Sequence, residues 1–412
     1  MIADKSQNNK QWPLEGVKVL DLGQIYNGPY AGFLMAHAGA DVIKVEPLTG
    51  EVLRQRGGGQ VPLSFSMLNT NKRGIAIDLK KNEGKKLLLD LAGEADVLLE
   101  NFAPGAMERL GLGIDLFLES NPGLIYASGS GYGLSGPKKN NLAMDLTVQA
   151  IGGIMSINGP ETGPPMKAGA AICDFVGGVH LYAGIVTALY EREKTGLGGV
   201  VEVAMQEAIY PVLTSNIASL HKNKWKQPAR RGNKHPTQGS APYNVYETTD
   251  GYIAIICVKD AHWLSLLKVI AREDLLTDQR FKTQALRATN EDVVDEIVEN
   301  WTKTKTKDQA AELLKTNKIP AAPVRNLEEV TQDEHMHERG MLNNINHPTM
   351  GDVILPKSPI RFHKTPESEL NIEPTIGQHT REVLVEWLKI SGEKVDTLIR
   401  AGVIGENDEN KK

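Results

Sequence analysis

Two patterns of apolar residues alternate along the first half of the chain. Short runs rich in Val, Ile and Leu occur at 17–23, 40–47, 74–79, 95–101, 123–129 and 199–204. Between them lie longer stretches with the helical spacing of apolar residues, such as 29–39 and 84–93. Strands that alternate with helices in this way predict a parallel, doubly wound sheet. We therefore expect an α/β fold with a large, Rossmann-like sheet domain over residues 14–220.

The pattern changes after residue 220. The segment 221–242 is basic, polar and rich in turn-forming residues, and 243–257 then predicts a β-hairpin with Asp250-Gly251 at its turn. Helical spacing follows near 261–271, 291–300 and 308–317. These elements predict a smaller α+β domain over 225–330. The segment 331–400, with one clear helix at 380–390, is expected to return to the large domain.

Charge and cysteine usage exclude several classes of function. The net charge of −5 arises from 46 Lys and Arg against 51 Asp and Glu, with no long block of one sign. This distribution predicts no nucleic-acid partner and no membrane surface. The two cysteines allow no disulfide framework, and no metal-binding motif such as HExxH occurs. Because neither a secretory signal nor an apolar run of ~20 residues is visible, we expect a cytoplasmic enzyme.

The segment AAICDFVGGVHLYAGIVTALYEREKTG (170–196) draws attention to Asp174. From Gly178 to Leu189 its apolar content predicts a buried helix. Gly177 and Gly178 weaken such a helix by roughly 1 kcal/mol each relative to Ala, which predicts the close approach of another backbone or a ligand. Asp174 either caps this helix or serves as a nucleophile, and the residues alone leave both interpretations open.

Two further segments carry cations where parallel strands begin or end. In NTNKRGIAIDLK (69–80), Lys72 and Arg73 precede a strand and Lys80 follows it, and in ENFAPGAMERLG (100–111) Arg109 follows the pair Asn101-Phe102. Cations and helix N-termini at such positions bind phosphates, so the segments indicate either a nucleotide-like ligand or a surface patch. GYGLSG (131–136) fits a dinucleotide fingerprint, but a proline and two lysines follow it, which favours a tight loop.

Seven segments occur in an order that identifies a family resemblance. They are LEGVKVLDLG, a following Gly-Pro, GADVIKVEP, NKRGIAIDLK, ENFAPGAMERLG, SGYGLSGP and VEVAMQEA. Over about residues 14–400 the chain resembles the class III CoA-transferases, which include carnitine and formyl-CoA:oxalate CoA-transferases and, more distantly, α-methylacyl-CoA racemase. The resemblance implies a CoA-transferase acting on acyl-CoA and a free carboxylic acid, as an interlocked homodimer. It implies no metal and no cofactor, since the CoA thioester is a substrate.

The resemblance also implies roles for individual residues. Asp174 matches the catalytic aspartate, which would form an aspartyl anhydride and then an aspartyl–CoA thioester. Backbone N–H groups near Asp174 and in the Tyr26–Gly28 loop would stabilise the oxyanion. Arg109 matches an arginine on the CoA phosphates, and Asp145 an acidic residue near the pantetheine end. The other matched CoA-binding positions are Tyr26, Asn27, Ile77, Asp78, Leu79, Lys80, Asn101, Phe102, Ala103 and Met205.

Departures from the family pattern narrow the expected reaction. Formyl-CoA transferase has glutamine in place of Tyr26, arginine in place of Pro47, and a glycine-rich lid that this chain lacks, so formyl-CoA:oxalate exchange is not expected. The racemase has a histidine where this chain has Met144, and racemisation needs two acid/base groups. A racemase-like isomerase and a non-catalytic CoA-binding protein remain the alternatives.

The acids that this chain would use are less clearly indicated. Arg230, Arg231 or His235 would either pair with a distal carboxylate, which suits a dicarboxylate such as succinate, or form a solvated basic hinge.

Overall fold

The computed structural model describes residues 11–58, 61–366 and 369–407. Its strands are β1 (Lys18–Asp21), β2 (Asp41–Glu46), β3 (Arg73–Ile77), β4 (Val97–Glu100), β5 (Ile125–Ser130), β6 (Gly199–Ala204), β7 (Tyr243–Thr248), β8 (Gly251–Ile256), β9 (Ala321–Pro323), β10 (Leu342–His347), β11 (Gly351–Pro356) and β12 (Ile404–Gly405). The α-helices up to residue 222 are α1 (Asn27–Ala36), α2 (Val52–Gln55), α3 (Leu63–Asn69), α4 (Asn82–Gly93), α5 (Ala106–Arg109), α6 (Ile114–Ser120), α7 (Asp145–Ile151), α8 (Ile154–Ile157), α9 (Ile172–Thr195), α10 (Met205–Ala208) and α11 (Thr214–Lys222). The later α-helices are α12 (Asp260–Val269), α13 (Gln284–Thr289), α14 (Glu291–Thr302), α15 (Lys307–Thr316), α16 (Leu327–Thr331), α17 (Glu334–Glu338), α18 (Thr380–Leu388) and α19 (Gly392–Arg400). Short 3₁₀ turns occupy Tyr210–Leu213, Glu273–Thr277 and Gln279–Phe281.

The chain forms two compact units. The larger comprises the described residues up to Gly152, Ala170–Ile209 and the described residues from Glu334 onward. The smaller comprises Gly153–Gly169 and Tyr210–Asp333. The smaller unit thus begins earlier than the change in composition near residue 225 indicates. After β6 the chain forms two helices, α10 and α11, separated by a 3₁₀ turn, because Pro211 has no backbone N–H to continue α10.

The larger unit is built on one seven-stranded sheet in the order β12-β3-β2-β1-β4-β5-β6. All neighbouring strands are parallel except β12, which runs antiparallel to β3. Alternate residues of each strand face opposite layers: Leu20 and Leu98 pack in one core cluster, Val19 and Val97 in the other. The predicted doubly wound α/β fold is confirmed. Strand order reverses between β1 and β4, and ligands of such sheets bind outside the strand ends at this switch point.

The 24-residue helix α9 is the longest element of the larger unit. By length and composition it could cross a membrane, although no long apolar run is apparent in the raw sequence. The core helix of a soluble protein passes the same test, and α9 packs against α1, β5 and β6. Gly178 allows this approach, because a Cβ there would lie 2.7 Å from the carbonyl oxygen of Asn27. The close backbone contact predicted from the paired glycines is confirmed.

The smaller unit has its own core, around Tyr246, Trp263, Leu266 and Val298. The predicted hairpin is present as β7 and β8, and β9 adds a third antiparallel strand. Thr248 pairs with Gly251, so the turn consists of Thr249 and Asp250 and lies one residue earlier than the Asp-Gly signal predicts. The Asp250 carboxylate fixes this turn by accepting hydrogen bonds from the Thr248 hydroxyl at 3.2 Å and the Lys307 amide at 2.7 Å.

The chain after Glu334 contributes to the larger unit. The predicted helix at 380–390 is present as α18, whose Val383 and Leu384 lie in the core cluster beneath the sheet. The hairpin β10–β11, helix α19 and strand β12 were not predicted from the sequence. Residues Ile404 and Gly405 of β12 pair with Ile77 and Ala76, so β12 closes the outer edge of β3.

Candidate active site

A side-chain amide joins the two loops that leave the sheet at its switch point. Asn101, which follows β4, accepts a hydrogen bond from the Gln24 amide N–H at 2.7 Å and donates one to the Gln24 carbonyl at 2.9 Å. The loop between β1 and α1 is thereby held against the end of β4. One amide side chain that satisfies both backbone groups of a single residue fixes the loop in one orientation.

Asn27, the first residue of α1, fills a niche lined by glycines. Its side chain is 2% exposed, and its Nδ2 donates to the carbonyl oxygen of Asp174 at 3.2 Å. A Cβ at Gly177 would lie 2.3 Å from Nδ2, and one at Gly129 would lie 2.3 Å from Oδ1. Real Cβ atoms do not approach so closely, so both positions require glycine. The niche ties the start of α1 to the start of α9.

Asp174 does not cap α9. The residue that precedes the helix is Ala171, and Asp174 is the third helical residue, within the first turn. The cap is supplied by Asp145, whose Oδ1 accepts hydrogen bonds from the amides of Cys173 at 2.8 Å and Asp174 at 3.4 Å. Within the described part of the chain the carboxylate of Asp174 accepts no hydrogen bond. The capping interpretation of Asp174 is therefore wrong, and its carboxylate is free for another role.

Gln149 holds Asp145 in this position. Its Nε2 donates to Asp145 Oδ2 at 2.6 Å and to the carbonyl of Ala170 at 3.3 Å, and the side chain is wholly buried. Asp145 and Gln149 lie one turn apart on α7, which is the spacing at which helical side chains meet. Sequence reasoning missed Gln149, although this i,i+4 pairing was the signal that could have found it.

Burial and charge alter the acid–base properties of this turn. Burial, with a second contribution from the negative charge of Asp145, raises the pKa of Asp174 to about 7. Burial, with the charges of Asp145 and Asp174, raises the pKa of the adjacent Cys173 thiol to about 12. Cys173 is also fully buried, so at neutral pH it is an inert thiol and matches the interpretation of a small buried hydrophobe.

The Asp174 side chain lines a cleft of about 320 Å³ at the switch point. Seven of the residues matched from the family resemblance line it, namely Asn27, Asn101, Phe102, Ala103, Asp145, Asp174 and Met205. A second cleft of about 380 Å³ shares Phe102, Ala103, Pro104 and Ser130 with the first. Together they form one continuous groove along the carboxyl ends of β4 and β5. GYGLSG supplies part of its wall as a loop, because the next helix, α7, begins only at Asp145.

The other six matched residues line neither cleft. The Tyr26 ring stacks on Phe175 at 5.8 Å between centroids, one residue after Asp174. Arg109 is exposed on α5 and donates to the carbonyl of Pro104 at 3.0 Å, beside both clefts. Asp78, Leu79 and Lys80 follow β3 on the same side of the sheet.

Ile77 presents no side-chain surface to a ligand. Its side chain is 1% exposed and packs in the core, while its backbone pairs with Ile404. Only its main chain can therefore serve a ligand.

The basic segment of the smaller unit is largely occupied by its own contacts. Arg230 donates to the carbonyls of Pro160 and Gly163, and Arg231 pairs with Glu291 at 2.6 Å. Burial and the Arg231 charge lower the pKa of His235, whose Nδ1 accepts hydrogen bonds from the amides of Thr237 at 3.2 Å and Gly239 at 3.3 Å. His235 is therefore neutral at neutral pH and does not pair with a carboxylate as a cation.

Comparisons with known proteins agree with this geometry. The sequence model of CoA-transferase family III matches residues 14–380. Human succinyl-CoA:glutarate CoA-transferase is 31% identical over 409 residues, covering 98% of this chain and 92% of that protein. Formyl-CoA:oxalate CoA-transferase of Streptomyces coelicolor is 34% identical over 412 residues, covering 95% and 99%. Succinyl-CoA:mesaconate CoA-transferase of Haloarcula hispanica is 34% identical over 385 residues, covering 90% and 96%.

A solved structure shows the same fold. The crystal structure of a CAIB/BAIF family protein from Brucella suis superposes with a TM-score of 0.81 at 31% identity, covering 92% of this chain and 100% of the other. Both the sequence match and the superposition extend over nearly the whole chain. The chain belongs to CoA-transferase family III.

Proposed function

We propose that the protein moves CoA from an acyl-CoA to a free carboxylic acid, with Asp174 as the nucleophile. The observation that carries this proposal is the free carboxylate of Asp174 in the switch-point cleft. Asp145 already caps α9, so Asp174 is not needed to satisfy the helix N-terminus. A carboxylate held in place acts at high effective concentration, which contributes roughly 7–11 kcal/mol in well-oriented cases.

The transfer proceeds in four displacements. A carboxylate oxygen of Asp174 attacks the acyl-CoA carbonyl, the C–S bond breaks, and a mixed anhydride and CoA thiolate result. The thiolate attacks the aspartyl carbonyl and releases the donor acid, leaving an aspartyl–CoA thioester. The acceptor carboxylate attacks this thioester and releases thiolate again. The thiolate then attacks the acceptor's carbonyl in the new anhydride, which yields the new acyl-CoA and restores Asp174.

The start of α1 is the proposed donor for the oxyanion of each intermediate. The first-turn amides of Cys173 and Asp174 are occupied by Asp145, so the glycine-bearing turn cannot supply both donors as expected from the sequence. The amides of Asn27 and Gly28 open α1 and donate to no group in the part of the chain that the structure describes. Helix N-terminal N–H groups stabilise developing negative charge.

The long groove suits the CoA moiety. The wall common to the two clefts is formed in part by Phe102 and Ala103. The cleft that contains Asp174 is also lined by Asn101 and Met205. The pantetheine arm would lie along this wall with the thioester at Asp174. Lys80, Arg109 and the backbone of 77–79 would bind the nucleotide end, whose phosphates favour such cations. Binding energy from this remote end holds the thioester in register.

Dicarboxylic acids are the proposed substrate class. Glutarate, oxalate and mesaconate, which name the acids of the three relatives, are all dicarboxylates. Met144 lies next to Asp145 and is 53% exposed, and its thioether cannot move a proton, which supports transfer over racemisation. An acceptor panel assayed with succinyl-CoA and acetyl-CoA is the measurement. Equal rates with mono- and dicarboxylates would refute the substrate class, and α-deuterium uptake without an acceptor would indicate an isomerase.

A soluble cytoplasmic homodimer is the proposed state of the enzyme. Strand β6 pairs only with β5 among the described strands, and Val200 on β6 and Val179 and Tyr190 on α9 are exposed apolar residues beside it. We propose that a second copy of the chain covers this apolar surface in the dimer. Light scattering after gel filtration tests the proposal, and a monomer at micromolar concentration would contradict it.

Trapping of the intermediate tests the catalytic assignment. The protein is incubated with succinyl-CoA and treated with hydroxylamine or borohydride, and the modified peptide is located by mass spectrometry. We expect the modification at Asp174, and none in Asp174→Asn, which should still bind CoA. A modified residue elsewhere, or exchange activity retained by Asp174→Asn, would refute the mechanism.

A further inference from the structure

Six charged side chains are buried together behind the loop that joins β1 to α1. Three are acidic and three are basic, and none is more than 8% exposed: Asp21, Lys44, Glu46, Glu51, Arg54 and Lys72. Lys72 pairs with Asp21 at 2.7 Å, and Arg54 pairs with Glu46 at 2.7 Å. The side chains of Lys72 and Asp21 have no exposed surface, so neither can touch a substrate.

Four of these side chains, those of Asp21, Lys44, Glu51 and Lys72, contact the backbone of this loop or of the first turn of α1. The Lys44 ammonium donates to the carbonyl of Gly23, and Asp21 accepts the Gly23 amide at 2.8 Å. The Lys72 ammonium donates to the carbonyl of Pro29 at 2.9 Å. Glu51 accepts the amide of Ile25, whose backbone is left-handed with φ 63°, at 3.4 Å. Buried charges therefore contact the backbone on both sides of the segment Gln24–Gly28.

That segment is in turn joined to the nucleophile. Tyr26 stacks on Phe175, and Asn27 donates to the carbonyl of Asp174 at 3.2 Å. A path of direct contacts thus runs from Lys72 through Pro29 and α1 to the backbone of Asp174. Lys72 also donates to Asn69 Oδ1 at 3.0 Å, so the ammonium uses all three of its hydrogens.

Stability does not account for such a cluster. Two buried charges can lose more hydration than their attraction returns, and replacing them with apolar residues is often neutral or stabilising. Burial lowers the pKa of Lys72 to about 8, so the ammonium is charged at neutral pH. If the cluster contributed only to stability, apolar side chains could occupy these positions instead.

We propose that Lys72, together with Asp21, is a positioning residue that fixes the Gln24–Gly28 loop and, through Asn27, sets Asp174 against the thioester. The proposal rests on the proposed function for its catalytic consequence. Its structural part, that this buried pair immobilises the loop, stands apart from it. A misplacement of about 1 Å costs on the order of 100-fold in rate when a nucleophile must be aligned.

The experiment compares Lys72→Met with Lys86→Met. Lys86 forms an exposed pair with Asp90, so its loss removes the same group without touching the loop. For Lys72→Met we expect amide hydrogen exchange in peptides covering 22–30 to accelerate by about tenfold or more, with exchange elsewhere in the sheet unchanged. We expect kcat to fall about 100-fold and KM for acyl-CoA to change less than about threefold.

Gly32→Ala serves as a second variant if Lys72→Met does not fold. A Cβ at Gly32 would lie 2.6 Å from Asp21 Oδ2, so it displaces the pair while every charge is kept, and alanine favours the helix. The proposal would be overturned if both variants kept the wild-type amide hydrogen exchange in the loop and a kcat near that of wild type. It would also be overturned if amide exchange accelerated across the whole larger unit. A wild-type protein without transferase activity would refute the proposed function instead, and loop exchange would still decide the positioning role.

Discussion

Replacing Asp174 with asparagine should remove activity and raise stability at once. The folded protein holds this carboxyl at a pKa of about 7, against 3.8 for an ordinary aspartate. The ionised form is therefore penalised by folding, and asparagine, which has nearly the same shape, removes the penalty. This rise in the pKa of Asp174 corresponds to at most about 4 kcal/mol of free energy. Because Asp174 is partly exposed, water screening reduces the expected gain to about 1–2 kcal/mol.

The pH dependence gives this prediction its sign. Since the folded pKa lies above the unfolded pKa, the penalty is fully present above pH ~7 and disappears as the pH falls toward ~4. At about pH 8 the thermal midpoint of Asp174→Asn should exceed that of wild type by about 2–4 °C, and the two should converge near pH 4–5. Circular dichroism or differential scanning fluorimetry measures the midpoints.

Asp145→Asn is the matched control, because it removes the same charge from a neighbouring aspartate. At pH ~8 we expect a smaller gain than for Asp174→Asn, because the change relieves only the repulsion by Asp145, which is the smaller cause of the raised pKa, and the asparagine oxygen can still cap α9. An Asp174→Asn protein that is no more stable than wild type at pH ~8 would refute the reasoning. So would a gain that is as large at pH ~5 as at pH ~8.

Three further perturbations follow from the geometry. Asp145→Asn should lower the pKa of the nucleophile, so the acid limb of the kcat/KM profile, expected near pH 7, should move down by on the order of one unit. Gly177→Ala should lower the free energy of unfolding in urea by about 1–3 kcal/mol and should lower kcat, because its Cβ would lie 2.3 Å from Asn27 Nδ2. Gly113→Ala is the control and should change neither quantity, because the space around Gly113 is open. Arg109→Gln should raise KM for acyl-CoA about tenfold with little change in kcat, and should leave the KM for an acyl-pantetheine, which lacks the phosphates, unchanged.

The fold could be predicted from the sequence because parallel strands are buried on both faces. Their near-continuous apolar runs stand out even where a charge interrupts them, as Lys44 and Glu46 do in β2. The contacts of these two charged side chains could not be predicted, because their partners come from other parts of the chain. Helix α19 could have been found, because Ser391 caps it and Val395 and Leu398 form its apolar face.

The site was legible only in part. The residues around Asp174 were reached through family resemblance rather than spacing, because the cleft residues come from six separate segments of the chain. The capping role of Asp145 depends on two amides 28 and 29 residues away, and no local pattern announces it. The i,i+4 spacing could have paired the buried Gln149 with Asp145, but its second contact, with the carbonyl of Ala170, lies 21 residues away. Local patterns report periodicity, whereas these contacts depend on how distant loops meet.

The pairing of β12 with β3 sets the order in which the chain can complete its fold during synthesis. Ile404 meets Ile77 across more than three hundred intervening residues, and the whole smaller unit is made between them. The backbone groups on the outer edge of β3 therefore stay unpaired until the ribosome has released the chain beyond residue 405. At a typical rate of about 5–20 residues per second, that wait lasts tens of seconds. Until the last segment arrives, this open strand edge is a site at which nascent chains can pair and aggregate.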